Sequence, residues 1–461
     1  MKADLTRNSF YPSRYFSRVL MQQGRVQLDA DWNEQADILL HYLRNLAADC
    51  IGPHGGPENN FGFGITLAGS DLNIGQGRYY VQGIPVDAGQ GLTYAKQPNY
   101  PSPPTLPATP YPVYLDVWER LITCVEDDRI REVALGGADT AARTKVIWQV
   151  KAFTGTGQKG TEQKETEQKA CIDVTGSLQP ANRGWLQAVA KQQGTSTNPC
   201  VIDPNASYSG PENQLYRIEI HTPGPAGTAT FKWSRENGCV VFPIVKLTPG
   251  SPTTAVLETL GRDDRFGLNE GDWVEVEDDD SVLMNTGALA NSPAALLPGP
   301  LLQVQSISAG SLTVTLNGTP SAKVGQDSSK HPLLRRWDQT AGDQVEGGLQ
   351  LNTTDNAAVL TEGTWFNIEN GIQIYFQAAP ADSTNQYRTG DYWLIPARTA
   401  TGNIEWPTTT QSGKTVPVAL PPDGVTHYYA PLGVVNADGS VTECRCQFKA
   451  QAQCPNTKVA T

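Results

Sequence analysis

Turn-forming residues punctuate this chain so often that they set what it can fold into. The 461 residues include 44 Gly and 33 Pro, and the runs between them are short and rich in Val, Ile, Tyr and Trp. Such runs suit a pleated, half-buried surface, and the breakers between them suit turns. The expected class is mainly β: several small antiparallel β-sandwich or barrel domains, preceded by an extended arm and an amphipathic helix. A chain of this length holds two to four domains and buries a core without disulfide staples.

Several segments show the pattern directly. Residues 77–86 read as two strands around a Gly turn, and residues 114–119 alternate as a half-buried strand, with residues 145–153 as its partner. Residues 215–221 and 228–234 alternate around a Pro/Gly turn, which predicts a hairpin. Short runs at regular spacing between 255 and 316 suit a small barrel or sandwich. Residues 154–170 repeat Thr-Glu-Gln-Lys with almost no apolar side chain, so they read as a solvated insertion. The expected domains are 1–60 (arm and helix), 61–260 (β, with the insertion), 261–345 (small barrel or sandwich), 346–443 (β) and a tail over 444–461.

The N-terminal stretch differs from all of this. Gly24 permits a tight bend, and Val26 and Leu28 alternate with Arg25 and Gln27 as a short strand would. Asp29 or Asp31 is placed to cap a following helix, and Asp31 with Glu34 makes a capping-box pattern. From Trp32 the apolar positions Ala36, Leu39, Leu40, Leu43, Ala47 and Cys50 recur at helical spacing, and Gly52-Pro53 stops the run. Such a stripe covers either the chain's own β-domain or another subunit. The residues assigned to docking are Arg18, Gln22, Gln23, Arg25, Gln27, Asp29, Asp31, Trp32, Leu39 and Leu43.

Charge and cysteine usage narrow the function classes. With 35 basic and 47 acidic residues the net charge is −12, which opposes binding to nucleic acid or to anionic membranes. No run reaches the roughly 20 apolar residues needed to span a bilayer, and the first residues do not form a secretion signal. A soluble chain made in the cytoplasm is expected. Eight cysteines scattered over a long chain are expected to be mostly reduced core residues, with Cys171 and Cys200 the pair to bond if any does.

In blocks over nearly the whole chain, residues 17–35, 114–120, 131–143, 212–221, 230–237, 334–338, 387–398 and 427–434 resemble a bacterial domain-of-unknown-function family. Its members occur among genes for phage-tail-like contractile injection systems. The resemblance implies a structural part of the baseplate region, or of a cage or fibre attached to it. It implies other subunits of that particle and copies of the chain itself as partners, without direct membrane insertion. It supplies no catalytic motif.

Other clusters carry groups capable of chemistry. The acidic run Glu277 to Asp280 lacks the spacing and glycine of a calcium loop. Cys444, Cys446 and Cys454 with His427 number enough for zinc, but the C-x-C spacing is tighter than in a knuckle. No Gly-x-Ser-x-Gly elbow is present. Asp338, Glu369, Asp391 and Glu405 could pair as glycosidase carboxylates, or sit in ion pairs with Arg335, Arg336, Arg388 and Arg398. Tyr392, Trp393, Trp406, Tyr428 and Tyr429 could stack on a sugar or lie in cores. The resulting expectation is a non-enzymatic structural subunit with no cofactor and no metal. The alternatives are a receptor- or carbohydrate-binding fibre module and a glycan hydrolase.

Overall fold

The computed structural model describes residues 1–153, 171, 178, 182–190, 208–263, 265–285, 287, 297–344 and 347–449. The insertion expected at 154–170 lies outside the described residues. The chain divides into two compact units, each assembled from separated segments. The mainly β expectation holds, with a closed barrel, several sheets and one long N-terminal helix.

The first unit comprises Met1–Asn8, Arg120–Lys145 and Pro180–Thr426. A five-stranded sheet runs in the order Ala358–Val359, Thr230–Ser234, Gln214–Ile220, Tyr392–Arg398, Asn403–Ile404. A three-stranded sheet of Leu186–Ala190, Ile372–Phe376 and Trp365–Asn367 shares its core. Alternation decides which side chains meet there: Tyr216, Ile218, Ile220, Phe231 and Trp233 pack with Leu186, Ile374 and Phe376. The hairpin expected over 215–234 is present, with Ile218 opposite Trp233. Its first strand is also paired on its other edge, to Tyr392–Arg398.

Between the strands Thr230–Ser234 and Ala358–Val359 the chain forms a six-stranded closed barrel. Its order is Val241–Thr248, Thr253–Leu257, Thr313–Leu316, Leu302–Ser308, Trp273–Glu277, Leu333–Trp337, and closure leaves no bare edge. Phe242, Ile244, Leu257, Val274, Val304, Val314 and Leu334 fill it. The barrel begins at Val241, ahead of the 261 expected from sequence.

The opposite face of the five-stranded sheet is also buried, and it carries charge. Lys232 Nζ lies 2.5 Å from Glu275 and 3.5 Å from Glu219, with its side chain 3% exposed. Arg335 pairs with Glu277 at 2.9 Å, and Trp337 Nε1 donates to Glu275 at 3.0 Å. Lys2 reaches Glu219 and Glu277 at 3.2 Å each, which ties the first residues of the chain to this unit. Alternation that suggests a solvated face thus marks a buried polar seam between sheet and barrel.

The second unit comprises Ser9–Glu119, Val146–Gln179 and His427–Thr461. One sheet runs Gln447–Phe448, His54–Pro57, Gly77–Val81, Ile84–Ala88, and another runs Arg143–Ala152, Tyr111–Ile122, Tyr428–Val435, Val441–Glu443. The tight turn of the expected hairpin is Gln82-Gly83, both with positive φ. The strand expected to alternate over 114–119 is instead buried continuously from Val113 to Trp118, because it lies inside the sheet with both faces covered. Asp116 within it receives hydrogen bonds from Lys151 Nζ at 2.7 Å and pairs with His427 Nδ1 at 2.7 Å.

Candidate docking surface

The helix Asp29–Ile51 is the longest element among the described residues. Its interior holds no Gly or Pro, and its four Ala and four Leu are good helix formers. The cap differs from expectation. The N-cap is Leu28 with no side-chain cap, so neither Asp29 nor Asp31 caps. Both lie in the first turn instead, where negative charge meets the positive end of the helix dipole. Glu34 accepts from Ser9 Oγ at 2.7 Å and does not close a capping box. Gly52, at φ 97°, ends the helix as expected.

One stripe of the helix rests on its own unit. Ala30 and Ile38 are fully buried, and Arg44 pairs with Glu119 at 2.9 Å. The turn at Gly83 sits so close beneath the helix that an added Cβ would lie 2.4 Å from the Arg44 carbonyl oxygen. Burial, followed by the nearby Glu119 charge, pushes the Asp37 carboxyl up on this side.

The opposite face is bare. Trp32 is 80% exposed, and Leu39, Leu43 and Leu46 are each about 60% exposed. The arm before it is equally open, with Tyr15 at 87% and Val26 at 81%. Thirteen of the seventeen exposed large hydrophobic residues among those described fall between Tyr11 and Leu46. Monomeric proteins seldom concentrate so many exposed large hydrophobic residues in one segment.

The residues assigned to docking from sequence divide accordingly. Trp32, Leu39 and Leu43 share the bare helix face, and Asp31 is half-buried in the first turn. Arg18, Gln22, Gln23, Arg25 and Gln27 lie along the exposed arm, with Asp29 where arm becomes helix. Gly24 makes the bend, but the short strand expected over 25–28 is absent; these residues pair with no sheet. Val19 N donates to Gln35 Oε1 at 2.9 Å and fastens the arm to the helix. Tyr11, Tyr15, Phe16, Leu20, Met21, Tyr42 and Leu46 are exposed on the same arm and helix and were not assigned from sequence. Only Leu46 had a signal, since it completes the alternating three-and-four spacing from Trp32.

The other candidates resolve into packing and ion pairs. Asp391 pairs with Arg183 and with Arg388, and Glu405 pairs with Arg398 at 3.0 Å. Asp338 and Glu369 both line a cavity of about 330 Å³ in the first unit. Arg235 is shared by the two, and its bidentate bonds to Glu369 measure 3.0 and 2.9 Å. Arg265 in the same cavity is held by Glu212 and Glu236. Burial, against the opposing pull of Arg235, raises the Glu369 carboxyl above its ordinary value. Tyr392 and Trp393 are buried, and Trp406 Nε1 donates to the Val418 carbonyl at 2.8 Å.

The acidic run is a helix start. Asp278 accepts from Ser281 N and Gly325 N, Asp279 pairs with Arg120 and His331, and Asp280 pairs with Lys330. Cys171 bonds to Cys444, which overturns the expected partner Cys200 and removes Cys444 from a zinc set. Cys50 and Cys446 are exposed, contrary to the expected core placement, while Cys200 and Cys454 lie outside the described residues. No group of three or more metal-ligating side chains occurs among the described residues, and no described helix is long and apolar enough to cross a membrane.

A family of unknown function, DUF6519, matches residues 1–166 and 152–460. No curated protein and no solved structure matches the chain.

Proposed function

We propose, from the premise that the chain belongs to the DUF6519 family of unknown function, that it is a non-enzymatic building block docked on a larger assembly by its N-terminal arm. The observation that carries this reading is the concentration of exposed apolar side chains between Tyr11 and Leu46. Large exposed apolar patches mark surfaces that meet another molecule. The arm also has a charge preference. Residues 9–28 carry Arg14, Arg18 and Arg25 and no carboxylate, in a chain of net charge −12, which suits an acidic protein neighbour.

The assembly we assign is a phage-tail-like contractile injection particle, with the chain in the baseplate region as a cage, extension or fibre-attachment element. The block resemblance in the sequence supports this assignment. The chain would be made in the cytoplasm and join the particle there.

Substitution tests this better than removal of the first fifty residues, because Met1 and Lys2 are bonded into the first unit. The variant Tyr15→Ser/Phe16→Ser/Leu20→Ser alters only exposed positions. In cells that make the particle, the tagged variant should keep its melting temperature and be absent from purified particles. Incorporation at the unsubstituted level would refute the docking role.

A further inference from the structure

The bare face of the helix has a finer order than general hydrophobicity. Trp32, Ala36, Leu39, Leu43, Leu46 and Cys50 succeed one another at steps of four, three, four, three and four residues. That spacing keeps the six positions on one face of the helix, where they can pack against another helix. A different stripe, through Ala30 and Ile38, turns inward, and this seam faces away.

The flanks of the seam identify the occupant. In this register the flanking positions are Asn33, Gln35, Leu40, Tyr42, Ala47 and Asp49, of which only Asp49 is charged. Heptad flanks that choose an unlike partner usually do so with complementary charges, and here Asp49 alone offers one. The chain carries −12 overall, so most surfaces of two copies repel each other. A face almost free of charge is where two copies of this chain can meet without that penalty.

The helix itself supplies apolar area for such a contact. Trp32 and Tyr42 are 80% and 52% exposed. At roughly 150–250 Å² apiece they offer roughly 200–330 Å². Leu39, Leu40, Leu43 and Leu46 are 41–63% exposed and add to that, toward the roughly 800 Å² that a standard interface takes from each side.

We infer that copies of this chain associate through the seam Trp32, Ala36, Leu39, Leu43, Leu46 and Cys50, helix against helix, as a dimer or higher oligomer. This rests on the building-block reading, but it is tested on the purified chain alone. Light scattering coupled to size exclusion, at tens of micromolar, should give a multiple of 49.8 kDa. The variant Leu39→Glu/Leu43→Glu should return the mass to that of one chain, with far-ultraviolet circular dichroism and melting temperature unchanged.

A wild-type mass of one chain at that concentration overturns the inference, as does an oligomer that survives the double substitution. Leu46→Glu, at a third exposed position of the same seam, gives a second variant that should also dissociate the oligomer. Failure here and failure of the docking proposal are separable. Loss of self-association leaves the particle result of the arm variant intact, and incorporation of the arm variant leaves the oligomeric mass intact.

Discussion

Two adjacent helix residues, Ile38 and Leu39, should respond oppositely to truncation. Ile38 is fully buried against its own unit, whereas Leu39 is 60% exposed on the seam. Removing most of a fully buried Ile side chain costs about 2–5 kcal/mol, because transfer and cavity terms add. At about 2–4 °C per kcal/mol for a unit of this size, Ile38→Ala should lower the melting temperature by about 4–20 °C. Leu39→Ser, alone or with Leu43→Ser, removes no packing from the isolated chain and should fall within about 0.5 kcal/mol, or about 2 °C. Differential scanning calorimetry at low micromolar concentration, where association contributes least, reads both values. The two-unit organisation makes it necessary to follow the transition that contains the helix, and helix-sensitive circular dichroism identifies it. A loss on Leu39→Ser comparable with that on Ile38→Ala would show the seam to be covered within the native chain, and the docking argument would fail.

Three further outcomes follow from the same structure. Burial alone would raise the Asp116 carboxyl, but the adjacent His427 and Lys151 hold it at about 2. A depressed carboxylate contributes stability above its unfolded value near 4 and loses it as pH falls toward 2, so Asp116→Asn should lower stability at pH 7 and flatten the acid limb of the stability curve; an unchanged limb would be evidence against the pairing. Lys232→Met leaves the buried Glu219 and Glu275 without their shared cation and should cost about 3–5 kcal/mol in urea unfolding, whereas a loss under about 1 kcal/mol would mean that the seam reorganises. Non-reducing peptide mapping should recover Cys171 linked to Cys444 with Cys446 free to alkylate, and a Cys171–Cys200 or Cys444–Cys446 link would contradict the pairing.

Local patterns carried much of the architecture. The hairpin over 77–88 was legible because two alternating runs flank Gln82-Gly83, and the helix because nothing in residues 29–51 breaks it. The first barrel strand, Val241–Thr248, was missed because Pro243 sits inside it and argues against a paired strand. Pro243 still takes its place opposite Leu333, and its carbonyl accepts from Glu258 N. The sheet position of Gln214–Ile220 was also hidden. Arg217 and Glu219 alternate with apolar residues as a wet face would, and partners far along the chain, Lys2, Lys232 and Asn237, help make their burial tolerable.

The Cys171–Cys444 pairing spans 273 residues and leaves no local trace. For the docking surface, the sequence disclosed an apolar helical stripe. It could not reveal that a neighbouring stripe, through Ala30 and Ile38, meets the chain's own sheet and leaves the other free.

The strand Tyr428–Val435 lies between Tyr111–Ile122 and Val441–Glu443 in the sheet order. On a translating ribosome, therefore, the platform that seats the N-terminal helix stays unfinished until more than four hundred residues have been polymerised. A product released by premature termination before that strand would carry the apolar arm and helix without their support, open to proteolysis.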